Sequence, residues 1–197
     1  MSMMKQLILF LVVVSCNTIL SAQGKTYSTG GLYLTAQDYE NHRLAYEFTG
    51  NDARNKLGLR NFFGSSSGYV IANGQKHVFD KSRVYGYRDC QNRTYRLYHG
   101  EPYLLVDTAS FAMYYRSKTE EANKGKELVK RDQYFFSKDP DGELIPLTVE
   151  NLKNAFPGNY RFHYSLDAYF KFDKDLTAYD KFEKKYKIKS VYNQSLN

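Results

Sequence analysis

The chain has 197 residues, of which 42% are hydrophobic and 25% charged, close to the composition of an ordinary globular domain. A domain of this length buries about 70% of its unfolded surface, which excludes a fold that depends on disulfides. Lysine and arginine number 28 against 21 aspartate and glutamate, a formal net charge of +7, which favours anionic partners without identifying a function.

The N-terminus has the pattern of an export signal. Lys5 precedes an apolar stretch over residues 7–14, and small residues follow at Ser21 and Ala22. We therefore predict a signal peptide over residues 1–23 and an exported chain of residues 24–197. The apolar run is shorter than the roughly 20 residues of a membrane helix and no second run follows, so we expect no transmembrane span in the exported chain.

The two cysteines leave one alternative open for the anchoring of the protein. Val13, Val14 and Ser15 before Cys16 also fit a lipoprotein processing site, with Cys16 carrying the lipid. The exported chain would then be tethered to the envelope instead of periplasmic or extracellular. With ordinary signal cleavage Cys90 is the only cysteine left, so we expect no intramolecular disulfide and interpret Cys90 as a free turn cysteine.

The N-terminal half predicts one short helix and a series of strands. Thr35 and Asp38 form a capping box that predicts a helix ending near Asn41. Residues 44–48 alternate as a strand does, and residues 57–63 are a further short apolar segment. Asn73-Gly74 between two β-rich runs predicts a tight hairpin over residues 69–79.

The middle of the chain predicts an antiparallel meander. β-formers recur at short spacing from residue 83 to residue 117, with turn residues between them. Residues 119–130 are charged and predict a loop or an extended hairpin tip. The Asp-Pro-Asp-Gly-Glu sequence at residues 139–143 has the turn chemistry of another hairpin.

The C-terminal third predicts helices. Thr148 caps a helix over residues 149–156, which Pro157-Gly158 ends. A second helix runs from residue 160 to about 172, with Phe162, Leu166, Tyr169 and Phe170 on one side. A third, lysine-rich helix begins near Leu176 and includes Tyr179, Phe182 and Tyr186.

These elements predict a single α+β domain over residues 24–197, β-rich over 30–147 and helical over 148–195. Its centre is an antiparallel β-sheet with a short N-terminal helix and C-terminal helices packed on it. The pattern leaves open whether the sheet partly closes.

Several segments resemble a family of uncharacterised secreted proteins of Bacteroidota. The residues that carry the resemblance are 31–35 with Asp38-Tyr39, 84–89 with Tyr95-Arg96, 147–153 with 155–157, and Phe162-His163, Leu166-Asp167, Tyr179-Asp180 and 186–188. They span most of the exported chain. The resemblance implies export and a single domain, and it implies no catalytic or binding residue.

No segment has the full pattern of a catalytic, metal or cofactor site. Residues 64–68 fit the Gly-x-Ser-x-Gly pattern of a hydrolase, but a β-hairpin follows where the nucleophile elbow needs a helix. The four histidines, His42, His77, His99 and His163, lack the spacing of a zinc site. The acidic turn at 139–143 and the acids at 173–180 lack the ligand ladder of a calcium loop.

The unusual feature is aromatic, since the chain has 19 Tyr and 13 Phe and no Trp. Tyrosines alternate with cations on two neighbouring predicted strands, an arrangement that can stack sugars or bases. The candidate ligand-binding residues are Tyr85, Tyr87, Arg88, Tyr95, Arg96 and Tyr98. Alternation predicts that Tyr85 and Tyr87 share one side of their strand and Arg88 takes the other. The lysines at 181, 184, 185, 187 and 189 predict a solvated helical face.

The function predicted from these observations is a non-enzymatic binding or structural protein of the cell envelope. An anionic or glycan component of the envelope is the expected partner, and a specific nucleic acid is not. Two alternatives stay open: a secreted hydrolase with an unrecognised site, and a lipid-anchored accessory subunit of an envelope complex.

Overall fold

A computed structural model describes residues 27–59, 65–122 and 127–197. The predicted signal peptide and Cys16 lie outside these residues. The strands are β1 (Thr29–Tyr33), β2 (Ala45–Thr49), β3 (Lys56–Gly58), β4 (Ser67–Ala72), β5 (Gln75–Asp80), β6 (Gly86–Arg88), β7 (Thr94–Tyr98), β8 (Glu101–Asp107), β9 (Ala112–Ala122), β10 (Glu127–Ser137), β11 (Ile145–Pro146), β12 (Tyr179–Asp180) and β13 (Lys185–Tyr186). The α-helices are α1 (Ala36–Glu40), α2 (Val149–Ala155), α3 (Tyr160–Tyr169) and α4 (Lys187–Gln194).

Eight strands form one sheet in the order β11-β10-β9-β8-β7-β6-β1-β2. All of its neighbours are antiparallel, and strands β6 to β11 follow one another as a meander. Strand β1 lies between β6 and β2, so the N-terminal strand extends the meander at one side. The predicted α+β fold is therefore confirmed, and the sheet is open between its edge strands β11 and β2.

Local sequence explains the elements that were predicted most sharply. The Thr35 hydroxyl accepts a hydrogen bond from the Asp38 amide, and the Asp38 carboxylate accepts one from the Thr35 amide, which completes the capping box of α1. Thr148 caps α2 through the Asn151 amide. Asn73 and Gly74 have φ values of +52° and +81°, as a two-residue hairpin requires.

Two separate layers cover one face of the large sheet, which we call the front face. The three-stranded sheet β3-β4-β5 packs on β1, β6 and β7 around Leu32, Val70 and Leu97. Helices α2, α3 and α4 pack on β9 and β10, where Met113 and Phe136 meet the helical side chains Phe162, Leu166 and Ile188. Both covers lie on the same face, because cross-strand partners share a face and alternate residues along a strand return to it.

The other face, which we call the back face, has a smaller cover. Tyr103 and Tyr114 pack there against Leu144, which follows the turn at residues 139–143. Helix α1 adds Tyr39, whose ring meets that of Tyr33 edge-on and stacks on Tyr85. The back face therefore buries mostly tyrosine under a loop and a single turn of helix.

The predicted third helix is wrong before residue 187. Residues 179–186 form a short hairpin of β12 and β13 instead. The Asp180 carboxylate accepts hydrogen bonds from the amides of Phe182 and Glu183, and Lys184 has a φ of +53°, so a turn competes successfully with a helix. The apolar side chain of Phe182, which the helical pattern counted toward a core, is 96% exposed.

The predicted lysine-rich helical face is consequently wrong as well. Lys181 and Lys184 lie in the turn, Lys185 lies in β13, and only Lys187 and Lys189 belong to α4. Lys189 is buried, with 1% of its surface exposed. The second helix also ends at Tyr169, three residues earlier than predicted.

No helix in the three described ranges is long and apolar enough to cross a membrane.

Candidate ligand groove

Between its two covers, the front face carries a straight row of cross-strand partners on β6 to β10. Tyr87 pairs with Tyr95, Tyr95 with Leu104, Leu104 with Tyr115, and Tyr115 with Tyr134. We call these five residues the tyrosine row. The row runs at right angles to the strands, because each partner lies directly opposite the next. The meander thus gathers four tyrosines that are up to 47 residues apart in the sequence.

The tyrosine row consists of two aromatic pairs with a leucine between them. The rings of Tyr87 and Tyr95 are stacked, with centroids 4.7 Å apart and planes at 10°. The rings of Tyr115 and Tyr134 lie 5.3 Å apart at a tilt of 55°. Leu104 carries no ring, so the row has a gap at its middle position.

A cleft of about 510 Å³ opens at the Tyr87 end of the row. Tyr87 and Tyr95 form one wall of the cleft, and the turn at residues 89–93 forms another. The remaining lining residues are Tyr27, Phe48, Gly50 and Asn51 from the end of β2 and just after it, Leu57 and Leu59. Two further depressions, of about 520 and 310 Å³, lie on either side of Leu104 along β8, and Arg93 lines all three. We call the three together the groove.

The turn at residues 89–93 holds Arg93 in place. One carboxylate oxygen of Asp89 accepts hydrogen bonds from the amides of Gln91 and Arg93. The other accepts from Nε of Arg93 at 2.8 Å and lies 2.7 Å from Nη2. This hydrogen-bonded pairing with Asp89 raises the pKa of Arg93. Because Asp89 engages Nε and Nη2, Nη1 of Arg93 is the nitrogen that this carboxylate does not bind. The guanidinium lies 5.8 Å from the centroid of the Tyr95 ring.

Several polar groups of the cleft have no hydrogen-bond partner in the part of the chain that the structure describes. They are the hydroxyls of Tyr87 and Tyr95 and the side-chain amides of Asn51 and Gln91. Burial raises the pKa of both tyrosines, so their hydroxyls stay protonated at neutral pH and can donate. These groups are solvent-accessible hydrogen-bonding sites on the walls of the cleft.

Cys90 also lines the cleft, and its environment is structural. Its thiol donates to the Gly50 carbonyl oxygen at 3.2 Å, which ties the turn at 89–93 to the end of β2. Cys90 is a free thiol, and no acid or base is hydrogen-bonded to it within the described residues. The arrangement therefore lacks the neighbouring base that a nucleophilic thiol needs.

The back face directly behind the row holds a second cluster of the same residue types. The Arg96 guanidinium lies 5.3 to 5.9 Å from the ring centroids of Tyr85, Tyr98 and Tyr114. Its Nη2 donates to the Asp141 carbonyl oxygen at 3.1 Å. We call these residues the arginine cluster. Arg96 is only 6% exposed, so the guanidinium serves as a core group that joins β7 to the turn at 139–143.

The structure divides the six sequence-predicted binding residues between the two faces. Tyr87 and Tyr95 line the groove, whereas Tyr85, Arg96 and Tyr98 belong to the arginine cluster. The remaining one, Arg88, donates through Nε to the Thr29 carbonyl oxygen. Two of the six therefore line the groove.

The prediction that Tyr85 and Tyr87 share one side is wrong. Tyr85 precedes β6, and its hydroxyl donates to the Pro140 carbonyl oxygen on the back face. A Cβ on Gly86 would lie 2.2 Å from the Tyr95 carbonyl oxygen, so the chain enters the strand by a close backbone approach that only glycine allows. Strict alternation starts only after this position.

Sequence reasoning missed Arg93, Asn51, Leu104 and Tyr115 as groove residues. The turn signal at Asp89 to Arg93 is visible in the sequence, but the register that places Leu104 opposite Tyr95 and Tyr115 is not. A row across five strands depends on four pairing registers, and alternation within one strand fixes none of them.

At the Gly-x-Ser-x-Gly segment of the hydrolase alternative, the described residues form no catalytic triad. Ser66, the serine of the Gly-x-Ser-x-Gly pattern, lies directly before strand β4 and shares a depression with Asp80 and His99. The Asp80 carboxylate accepts from the amide and hydroxyl of Ser82, and His99 makes no hydrogen bond with Ser66 or Asp80. A triad requires both of those hydrogen bonds. Across residues 27–59, 65–122 and 127–197, no group of three or more His, Cys, Asp and Glu side chains could hold a metal ion.

Comparison with known proteins gives no identity: no protein-family model, no curated protein and no solved structure matches the chain. The resemblance to secreted proteins of Bacteroidota therefore stays a prediction. The groove and the arginine cluster are the features from which a function can be argued.

Proposed function

We propose that this protein is an exported, non-enzymatic binding protein of the cell envelope and that its ligand is a glycan held in the groove. The observation that carries the proposal is the set of unpartnered polar groups around the stacked Tyr87 and Tyr95 rings. The signal pattern over residues 1–23 supports the compartment.

The chemistry of the groove favours a sugar over an apolar ligand. The side chains of Asn51, Gln91, Arg93 and Tyr95 carry planar amide, guanidinium and phenol groups that donate or accept hydrogen bonds. Neighbouring hydroxyls of a sugar ring can form hydrogen bonds with such groups. The aromatic and leucine side chains supply the apolar surface on which the C–H face of a sugar ring can pack.

A thermal-shift screen of the protein purified after export tests the proposal. The probes are cellohexaose and chitohexaose as neutral glycans, hexagalacturonate as an acidic glycan, and a dT20 oligonucleotide. A ligand present at about 100 times its Kd stabilises the folded state by about 2.7 kcal/mol, which raises the Tm by several degrees in a domain of this size.

A matched pair of tyrosine variants locates the site. Tyr95→Ala removes a ring from the groove, and Tyr98→Ala removes one from the back face. We expect the Tm increase with a glycan to disappear in the first variant and to persist in the second. A Tm increase with dT20 alone, or with none of the four probes, contradicts the proposal.

A further inference from the structure

Resting on the proposed function, we propose that the gap in the tyrosine row is a slot for one ring of a neutral, linear glycan, with Leu104 as the floor and Tyr95 and Tyr115 as the walls. The glycan chain would cross the strands along the row. This names the ligand class and the position at which one sugar unit is held.

The spacing of the strands sets the width of the slot. Tyr95 and Tyr115 lie on β7 and β9, two strands apart, with Leu104 of β8 paired to both. Neighbouring strands are about 4.8 Å apart, so the two tyrosines stand about 10 Å apart. A ring midway between them would lie about 5 Å from each, within the roughly 4.5–7 Å range of ring contacts.

The slot exists as an open depression, which Arg93 also lines with its guanidinium 5.8 Å from the Tyr95 ring centroid. Tyr95, Leu104 and Tyr115 line the same space of about 310 Å³, and Pro102, Arg116 and Ser117 are among its other lining residues. Tyr87 covers one side of the Tyr95 ring by stacking on it. On the outer side of the other wall, Tyr134 contacts the Tyr115 ring. Each wall is therefore supported from behind, which keeps the gap open over Leu104.

The charges around the groove favour a neutral ligand. The charged lining residues on the groove side are the cation Arg93 and the acids Asp89 and Asp107, while the other two, Arg116 and Glu101, pair with each other where Arg116 packs on the back-face residue Tyr103. Arg93 is paired with Asp89 at 2.7 Å, and Arg116 with Glu101 at 3.2 Å. The chain's net charge of +7 is thus not concentrated in the groove, and a polyanion would meet no free excess of positive charge there.

The third depression lies beside the row, along β8 toward the helical cover. Tyr186 of β13 lines it together with Leu104 and Val106. From Tyr87 to Tyr134 the row itself spans four strand spacings, about 19 Å. A linear glycan along the row would seat one ring in the slot, with one neighbour over the cleft at Tyr87 and the other over Tyr115 and Tyr134.

The test is calorimetric titration of the protein, purified after export, with cellohexaose and chitohexaose. Leu104→Trp fills the slot, and we expect it to weaken binding at least tenfold. Val78→Trp is the matched control, because Val78 on β5 is 68% exposed and lies outside the groove, and we expect it to bind as the parent does. Tyr115→Leu removes one aromatic wall while keeping an apolar side chain, and we expect a several-fold loss even if Leu104→Trp fails to fold.

The outcomes separate this inference from the proposed function. Binding of a neutral hexasaccharide that survives both Leu104→Trp and Tyr115→Leu overturns the slot and leaves glycan binding intact. Binding of hexagalacturonate alone, weakened strongly by salt, overturns the neutral ligand. Absence of binding to any glycan overturns the proposed function together with the slot.

Discussion

The two faces of the sheet at β7 carry similar residues and differ in what covers them. On the front face, Tyr95 lies beside Arg93 and the groove, where the tyrosine hydroxyl has no partner among the described residues. On the back face, Arg96 lies among three tyrosine rings and reaches the Asp141 carbonyl. Tyrosine beside arginine therefore borders an open cleft on one side of the strand and forms a structural core on the other.

The cover decides between these outcomes because it supplies the hydrogen-bond partners. The turn at 139–143 brings the Pro140 and Asp141 carbonyls to Tyr85 and Arg96, so the fold satisfies the Tyr85 hydroxyl and Nη2 of Arg96. Among the described residues, Nη1 of Arg96 is buried without a hydrogen-bond partner. On the front face the two covers leave the middle of the tyrosine row, Tyr95, Leu104 and Tyr115, partly exposed between them, whereas Tyr87 is buried under the three-stranded sheet. Composition alone cannot distinguish the two faces, because a structural polar group and a ligand-binding polar group differ in whether the protein or a ligand supplies the hydrogen-bond partner.

The largest expected difference in the free energy of unfolding is between alanine variants of Arg96 and Arg93. Arg96→Ala removes a buried side chain packed on three rings and should lower the free energy of unfolding by about 2–3 kcal/mol. Arg93→Ala removes an ion pair whose arginine is half exposed and should lower it by less than about 1 kcal/mol. Urea denaturation of both variants measures the difference. Equal losses would mean that the arginine cluster is not a core.

Another buried cation, Lys189, gives the covered part of the molecule a pH dependence. Its ammonium group lies over the Phe111 ring and donates to the carbonyl oxygens of Ala109 and Phe111. Burial lowers the pKa of Lys189 to about 7, and Asp107 opposes this shift. Between about pH 7 and pH 10 the unfolded chain therefore binds more protons at this lysine than the folded chain does, so the free energy of unfolding rises with pH.

The expected gain from Lys189 is on the order of 2 kcal/mol between pH 7 and pH 9. Lys189→Met keeps the length of the side chain and removes the titrating group. The free energy of unfolding of this variant should therefore not rise between pH 7 and pH 9 on account of residue 189. Denaturant titrations of the parent and the variant at the two pH values give the comparison. Parallel pH profiles would show that Lys189 titrates alike in the folded and unfolded chains.

A smaller contrast separates the tyrosine hydroxyls of the two faces. Tyr85→Phe removes the hydrogen bond to the Pro140 carbonyl oxygen, 2.9 Å long, and should cost about 1 kcal/mol. Tyr87→Phe removes a hydroxyl with no partner in the described ranges, and we expect a change below about 0.5 kcal/mol. Glycan affinity should respond in the opposite order, falling for Tyr87→Phe and staying unchanged for Tyr85→Phe. The reverse pattern would place the ligand on the back face.

Local signals in the sequence account for the elements that were predicted correctly. The capping box at Thr35, the cap at Thr148 and the Asn73-Gly74 turn each depend on residues within four positions of one another. The prediction of the third helix was wrong because of an equally local contact, in which the Asp180 carboxylate accepts hydrogen bonds from two amides of the turn. An apolar spacing that fits a helix does not exclude a hairpin when a turn-forming Asp lies inside it.

The candidate site could be predicted only in part. Tyr87 and Tyr95 were identified from composition and alternation, and they do line the groove. The slot depends on Leu104 being placed between Tyr95 and Tyr115 by two inter-strand registers, and the covering of Arg96 depends on a turn 45 residues away. Such long-range pairings leave no local trace in the sequence, so the two faces could not be told apart before the fold was known.

The most direct test of the account is an NMR titration of the protein, purified after export, with cellohexaose and chitohexaose. The account predicts chemical-shift changes at groove residues Tyr95, Leu104 and Tyr115 and none at Tyr85 or Asp141 of the back face. Shift changes confined to the arginine cluster and the turn at 139–143 would contradict it, because they would show that the covered face binds the ligand and that the open row does not.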